Sequence, residues 1–131
     1  MGKTRLTLIA LFVLAAATAC VHGRPTPAQL ATADYGPFPS DYETIVKNYY
    51  SKSLFDPYSA VYEFAGPPKQ GWAAVPRGSG ALGELVRGYE PVFGWEVQGR
   101  INAKNRLGGY VGGRPFILLI RDGRVIKAVG P

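Results

Sequence analysis

Few side chains in this chain could carry out catalysis or hold a metal ion. Among its 131 residues, Cys20 is the only cysteine and His22 is the only histidine. A zinc site needs three or four nitrogen, sulfur or oxygen ligands brought together, and an activated nucleophile needs a neighbouring base. The sequence therefore predicts no metal, no cofactor and no nucleophilic triad.

Glu63 and Glu96 are the pair of carboxylates that general acid–base chemistry could use. Glycoside hydrolysis employs two carboxyl groups that flank the scissile bond. Nothing in the spacing of Glu63 and Glu96 brings them together, and solvent-facing strand positions explain both residues more simply. We therefore expect a protein that is not an enzyme, and we keep a glycan hydrolase as the weakest alternative.

Residues 78–83 read GSGALG and match the G-x-G-x-x-G spacing of dinucleotide-binding loops. That chemistry requires a strand before the glycines and a full helix after them. Gly88 and Pro91 would cut such a helix short. We expect a glycine-rich loop over residues 76–90 and no nucleotide cofactor.

The first 19 residues have the layout of a secretory signal. Lys3 and Arg5 give a charged start, an apolar run follows over residues 6–16, and the small residues 17–19 precede Cys20. The apolar run is well short of the roughly 20 residues that span a bilayer. We predict a signal peptide over residues 1–19. A plain soluble secreted protein and an uncleaved anchor are the alternatives.

The small residues followed by Cys20 resemble the lipobox of bacterial lipoproteins. The resemblance implies a diacylglycerol joined by a thioether to Cys20, and cleavage just before that residue. An unpaired thiol is a liability in an oxidising compartment, and acylation removes it. Val21 follows the cysteine, with no aspartate there, which by resemblance to enterobacterial sorting favours the outer membrane. We therefore expect a lipid-anchored protein in the bacterial envelope that faces the periplasm.

The rest of the chain divides into a tether and one domain. Residues 20–39 are rich in proline, which fixes φ and withholds a backbone donor, so we predict a lipidated tether without regular elements. Residues 40–131 suffice for a single domain of ordinary size.

A helix is predicted in this domain from about Asp41 to Ser53. Ser40 and Glu43 have the spacing of a capping box, and Pro57 lies beyond the predicted end. The side chains that would be buried lie at helical spacing: Tyr42, Ile45, Val46 and Tyr49.

Alternation and apolar runs predict strands over residues 58–64, 72–75, 92–104 and 116–121. Asp122-Gly123 joins the last of these to residues 124–129 and is a strong signal for a type I′ hairpin. That turn would place Arg121 opposite Arg124, and Leu119 opposite Ile126. The predicted class is α+β, with one N-terminal helix packed on a four- to five-stranded, mostly antiparallel sheet.

Basic residues concentrate near the C-terminus. Residues 97–131 hold seven basic groups and one acidic group, whereas residues 21–96 hold six basic and eight acidic groups. Such asymmetry favours anionic partners. In an envelope these would be a membrane surface, an anionic polymer or an acidic protein, and we expect no nucleic acid. A basic face that is merely solvated is the alternative.

Residues 102–116 combine four glycines with two asparagines, three cations and a tyrosine. Turn chemistry explains part of this composition, because Asn and Gly tolerate left-handed backbone. The surplus of cations and amides is typical of a surface that binds anions or carbonyl groups. The candidate binding residues are Arg100, Asn102, Lys104, Asn105, Arg106, Tyr110 and Arg114.

Three segments carry a resemblance to a family. Residues 56–62 read DPYSAVY, residues 94–95 read GW, and residues 102–116 read NAKNRLGGYVGGRPF. Together they resemble an uncharacterised family of small proteobacterial lipoproteins and prophage-associated proteins, over roughly residues 40–125. The resemblance implies a lipoprotein with a shared fold, and it supplies no catalytic residues.

These observations favour a lipid-anchored periplasmic binding or accessory protein that acts through a basic sheet face and the loop that follows it. An alternative is an inhibitor or immunity protein, in which Lys104, Arg106 and Tyr110 on a glycine loop block the acidic cleft of a wall-degrading enzyme.

Overall fold

The computed structural model describes residues 24–77 and 88–131. The predicted signal peptide, Cys20, His22 and the glycine motif at 78–83 lie outside these ranges. No helix in the described ranges is long and apolar enough to cross a bilayer. The elements are α1 (Pro27–Ala31), α2 (Tyr42–Tyr50), a 3-10 turn (Pro57–Ser59), β1 (Val61–Phe64), β2 (Lys69–Pro76), β3 (Tyr89–Asn102), β4 (Arg114–Arg121) and β5 (Arg124–Val129).

All five strands form one antiparallel sheet, so the predicted sheet is confirmed. Its order is β1-β3-β4-β5, and β2 also pairs with β3. β1 and β2 both pair with the same edge of β3: β2 pairs with β3 residues 89–96, and β1 pairs with β3 residues 99–102. β4 pairs with the other edge of β3. β1 and β2 therefore run as one strand interrupted at residues 65–68. Pro67 and Pro68 lie in this interruption, and proline has no amide to donate to a ladder.

The core lies between α2 and one face of the sheet. Val46 and Tyr50 of α2 are fully buried against a cluster of strand residues. Tyr42 and Ile45 pack at the edge of this cluster, as the helical spacing predicted. Tyr49 was expected in the same stripe but is 38% exposed, because Tyr50 takes the place over the sheet. The strand side of the cluster consists of Val97, Ile101, Phe116, Leu118 and Ile120.

The ends of α2 differ from the prediction. The N-cap is Asp41, with no hydrogen bond from its side chain, so the predicted capping box of Ser40 and Glu43 is wrong. Ser40 lies one residue before the cap, which puts its side chain out of position to cap the helix. The helix also ends well before Pro57, because the amides of Ser53 and Leu54 both donate to the Tyr50 carbonyl and close the last turn.

The segment before α2 has more structure than a tether. Thr26 and Gln29 form a capping box at the start of α1, so the prediction of no regular element over 20–39 is wrong for residues 27–31. Residues 34–38 contact the sheet. The rings of Tyr35 and Phe38 lie 6.3 and 5.0 Å from that of Trp95, and the Trp95 Nε1 donates to the Gly36 carbonyl at 3.1 Å.

The hairpin between β4 and β5 has the predicted turn. Asp122 and Gly123 both have positive φ, at 50° and 71°. Arg121 lies opposite Arg124 as expected, but Leu119 pairs with Lys127 because a register shift follows it. The repulsion between the two arginines is reduced, because the Arg121 guanidinium binds an acidic residue. It donates hydrogen bonds to the carboxylate of Asp34 at 3.0 Å and to the backbone carbonyl of Asp34 at 2.6 Å.

The hydroxyl group of Tyr50 is buried and has no hydrogen-bond partner among the described residues. Burial, with smaller contributions from the charges of Tyr49 and Tyr62, raises the pKa of Tyr50 to about 12 from its usual 10.0. Such a group costs stability, since its interaction with water is lost without replacement.

We expect the Tyr50→Phe variant to gain about 1 kcal/mol in the free energy of unfolding at neutral pH, because the substitution removes that cost. The folded state holds the Tyr50 proton more tightly than the unfolded chain does, so wild-type stability should fall as the pH rises from about 10 to about 12. This fall should be smaller in the variant. Urea unfolding at pH 7 and pH 11 measures both effects. The Tyr49→Phe variant is the control, and a Tyr50→Phe variant less stable than wild type would contradict the assignment.

Candidate functional site

The loop over residues 103–113 connects β3 to β4 and is stabilised by hydrogen bonds within the loop. The Asn105 side-chain oxygen accepts hydrogen bonds from the amides of Leu107 and Gly109, at 2.9 and 3.2 Å. The backbone amide of Asn105 donates to the Gly109 carbonyl, and Lys104 forms a β-bridge with Tyr110. Gly108 has φ +79°, a conformation that glycine adopts readily. The predicted turn chemistry of this segment is therefore present.

Three contacts tie the loop to the rest of the protein. The Arg100 guanidinium donates to the Gly113 carbonyl at 2.8 Å, and the Gly112 amide donates to the Asn102 side chain at 3.1 Å. The amide of Lys104 donates to the Ser59 hydroxyl group at 2.9 Å. The loop is thus fixed at both ends, although it is exposed along most of its length.

Arg100, Asn102 and Tyr110 come together in a cleft of about 560 Å³, which we call the outer cleft. Its other lining residues include Val61 and Glu63. Arg100 lies opposite Pro115 in the β3–β4 register, on the sheet face that α2 does not cover. Glu63 and Arg100 are cross-strand neighbours, so the cleft presents one carboxylate beside one guanidinium.

Lys104, Asn105 and Arg114 line a second cleft of about 270 Å³, which we call the core-end cleft. Arg114 is opposite the buried Ile101, which places it on the sheet face covered by α2. Ile101 and Ala103 also line this cleft, together with Leu54 and Phe55 from the segment after α2.

The predicted basic residues therefore do not share one sheet face. Arg100 and Arg114 lie on opposite faces of the sheet. Successive side chains of a strand point to opposite faces, and Arg114 is paired with Ile101, the residue that follows Arg100. Lys104 lines the core-end cleft, and its ammonium group lies 5.5 Å from the centre of the ring of Tyr110, which lines the outer cleft. Arg106 lies over the ring of Phe55, at 5.8 Å from the ring centre.

The sequence reasoning missed the apolar side chains that surround the loop. Tyr58 is 100% exposed and Leu107 is 93% exposed. Phe55 and Val111 are also exposed, as is Tyr110, which the sequence had already indicated as a candidate binding residue. We call this group, with the 103–113 loop, the loop end. The available signal was the position of Leu107, an apolar residue between Arg106 and Gly108 in a turn where no core residue is needed.

The carboxylates considered for hydrolysis line different clefts. Glu63 faces the outer cleft, whereas Glu96 lines a small cavity with Lys69 and Gln98. The Glu96 carboxylate accepts a hydrogen bond from the Gln98 amide group. In the described ranges, no three side chains of the His, Cys, Asp and Glu types are grouped as a metal site would require.

Comparison of the chain with protein-family models, with curated proteins and with solved structures found no match.

Proposed function

We propose that this protein is a lipid-anchored, non-enzymatic binding or accessory lipoprotein of the bacterial envelope, with an α+β domain that binds a partner protein through the loop end. Its anchor would be a diacylglycerol on Cys20, in the outer membrane and facing the periplasm. The resemblance of the leader to a lipobox supports the anchor, and the geometry of the loop end supports the binding function.

The observation that carries the proposal is a loop that exposes apolar side chains and is held in one conformation by its own hydrogen bonds. Asn105 fixes the turn from within, and Arg100 and Asn102 fix its C-terminal end. Ordering a loop on binding costs free energy, so a loop that is already ordered binds more tightly. Tyrosine, phenylalanine and arginine, which the loop end contains, are also residue types that are enriched at protein interfaces.

The place where the N-terminal segment first contacts the sheet favours a partner that binds away from the bilayer. Asp34 and Tyr35 contact the sheet beside Arg121 and Phe93, at the end of β4 that leads into the β4–β5 turn. The loop end lies beyond the other end of β4, at Arg114. The eight residues of β4 separate the two ends by roughly 25 Å, at about 3.3 Å a residue. The position of Asp34 and Tyr35 supports a tether from Cys20 that would enter the domain at the end opposite the loop.

The inhibitor or immunity function uses the same surface. A loop that is fixed before binding and carries Lys104 and Arg106 has the charge and rigidity to enter an acidic active-site cleft. The two functions differ in the partner: an accessory protein binds an envelope component of its own cell, and an inhibitor binds a wall-degrading enzyme.

Photo-crosslinking in living cells tests the proposal. We expect a photoreactive residue at Leu107 to capture one predominant envelope protein. The same residue at Arg124, the first residue of β5 at the other end of the sheet, should capture none. Adding Val111→Glu to the Leu107 probe should lower the yield about tenfold, as expected when an anchor contact is lost. Equal products from both positions, or none from Leu107, would contradict the proposal.

A further inference from the structure

We propose that the core-end cleft receives one large apolar side chain of the partner, with acidic residues next to that side chain in the partner sequence. The inference rests on the proposed binding function and specifies the chemistry of the partner. It concerns the cleft lined by Leu54, Ile101, Ala103, Lys104 and Arg114.

The size and floor of the cleft suit a single side chain. Ile101 and Ala103 are both almost fully buried, and Leu54 is partly buried against the core cluster. The volume of about 270 Å³ lies just below the range of roughly 300–1,000 Å³ that is typical of small-molecule pockets. Protein interfaces commonly place one aromatic or aliphatic anchor in a pocket of this kind.

The charge of the rim selects acidic neighbours. Lys104 and Arg114 are basic, and none of the lining side chains is acidic. Pro131 also lines the cleft and brings no charged side chain to it. Arg106 adds a third cation nearby, over the ring of Phe55. Carboxylates on either side of the anchor would meet these cations at the edge of an apolar contact.

The same charges oppose a second copy of this protein as the occupant. Leu107 is the most exposed aliphatic side chain among the described residues, and it is the natural candidate for insertion into another molecule. Its insertion would bring the adjacent Arg106 of one copy towards Lys104 and Arg114 of the other. Like charges at close range disfavour this contact, so the cleft fits a different, acidic partner.

Fluorescence anisotropy with labelled peptides and the purified full-length chain tests the inference. The probe is Glu-Glu-Phe-Glu-Glu, and the controls are Lys-Lys-Phe-Lys-Lys and Glu-Glu-Ser-Glu-Glu. At about 0.15 M salt, where exposed charges are screened beyond about 8 Å, we expect the probe to bind about tenfold more tightly than either control. Equal binding of the serine peptide would show a simple anion site and would overturn the inference.

Three variants locate the binding. Lys104→Glu with Arg114→Glu should weaken the probe about tenfold, whereas Arg124→Glu with Lys127→Glu makes the same charge change on β5 and should weaken it less than about threefold. Ala103→Leu fills the floor of the cleft and should abolish binding. If Ala103→Leu or Arg114→Glu prevents folding, Lys104→Glu alone carries the test, because Lys104 lies at the rim.

Competition by sodium decanoate tests whether the core-end cleft binds a small amphiphile rather than a side chain of a partner protein. Tighter binding of decanoate than of the probe would assign the cleft to an amphiphile and overturn the inference. If the peptide tests fail while crosslinking from Leu107 succeeds, the inference is wrong and the proposed function stands. If crosslinking also fails, both are wrong.

Discussion

Replacing Gly99 by valine is expected to lower the free energy of unfolding by about 3 kcal/mol, a large fraction of the roughly 5–15 kcal/mol that is typical of native proteins. A Cβ atom at this position would lie 2.5 Å from the Glu63 carbonyl oxygen and 2.7 Å from the Phe116 ring. The Glu63 carbonyl belongs to paired backbone, and Phe116 is fully buried, so neither can move without disturbing the sheet or the core. Urea unfolding followed by circular dichroism measures the loss.

Gly109 provides the matched control for Gly99. A Cβ there would meet its nearest neighbour, the Asn105 side chain, at 3.9 Å, which is ordinary contact. Gly109→Ala should therefore change stability by no more than about 0.5 kcal/mol, as is usual for exposed sites. A Gly99→Val variant as stable as Gly109→Ala would show that Phe116 does not pack over β3 as described.

The sheet was predictable because its signals are local. The Asp122-Gly123 turn and the alternation in β3 depend on neighbouring residues, and both are present in the structure. The pairing of β1 and β2 with one edge of β3 depends on residues far apart in the chain. No periodicity within either segment shows that they follow one another along the same partner strand.

The N-terminal segment shows the same limit. Its prolines predicted irregular backbone, which is present at residues 33–39 but not in α1, where Pro27 is the first helical residue. Composition carries no information on what the irregular backbone contacts. Arg121 binds Asp34, 87 positions away, and Trp95 binds the Gly36 carbonyl. Residues 34–38 therefore contact the sheet, which their composition does not indicate.

The candidate site was predictable in its residues but not in its arrangement. All seven predicted binding residues lie in or beside the loop end, because glycine, asparagine and cations mark an exposed turn between strands. Their division between two clefts follows from the register of β3 with β4, which sets Arg100 and Arg114 on opposite faces. Exposure of Leu107 and Tyr58 is also a tertiary property, since the same residue types would be buried in a different fold.

Replacing Cys20 by serine is expected to release the protein from the membrane fraction almost completely. Each buried methylene of an acyl chain contributes about 0.8 kcal/mol to membrane binding, and stable attachment needs more than one chain. Serine offers no thiol for the thioether, so the variant should lose incorporation of labelled palmitate together with membrane attachment. Fractionation of the envelope and radiolabelling with palmitate measure the two losses.

The neighbouring His22→Ser variant keeps Cys20 and should stay lipidated and membrane-bound, which controls for altered processing near the cleavage site.

The Cys20→Ser and His22→Ser variants should both still crosslink to the partner from Leu107, if the released Cys20→Ser protein meets the partner in the periplasm. The reason is that the loop end lies at the end of the sheet opposite the tether. The anchor would then act by raising the local concentration of the domain, and its loss would lower the crosslinking yield without changing the partner. A Cys20→Ser protein that is cut normally and remains in the membrane would show that the attachment is not a lipid on this residue.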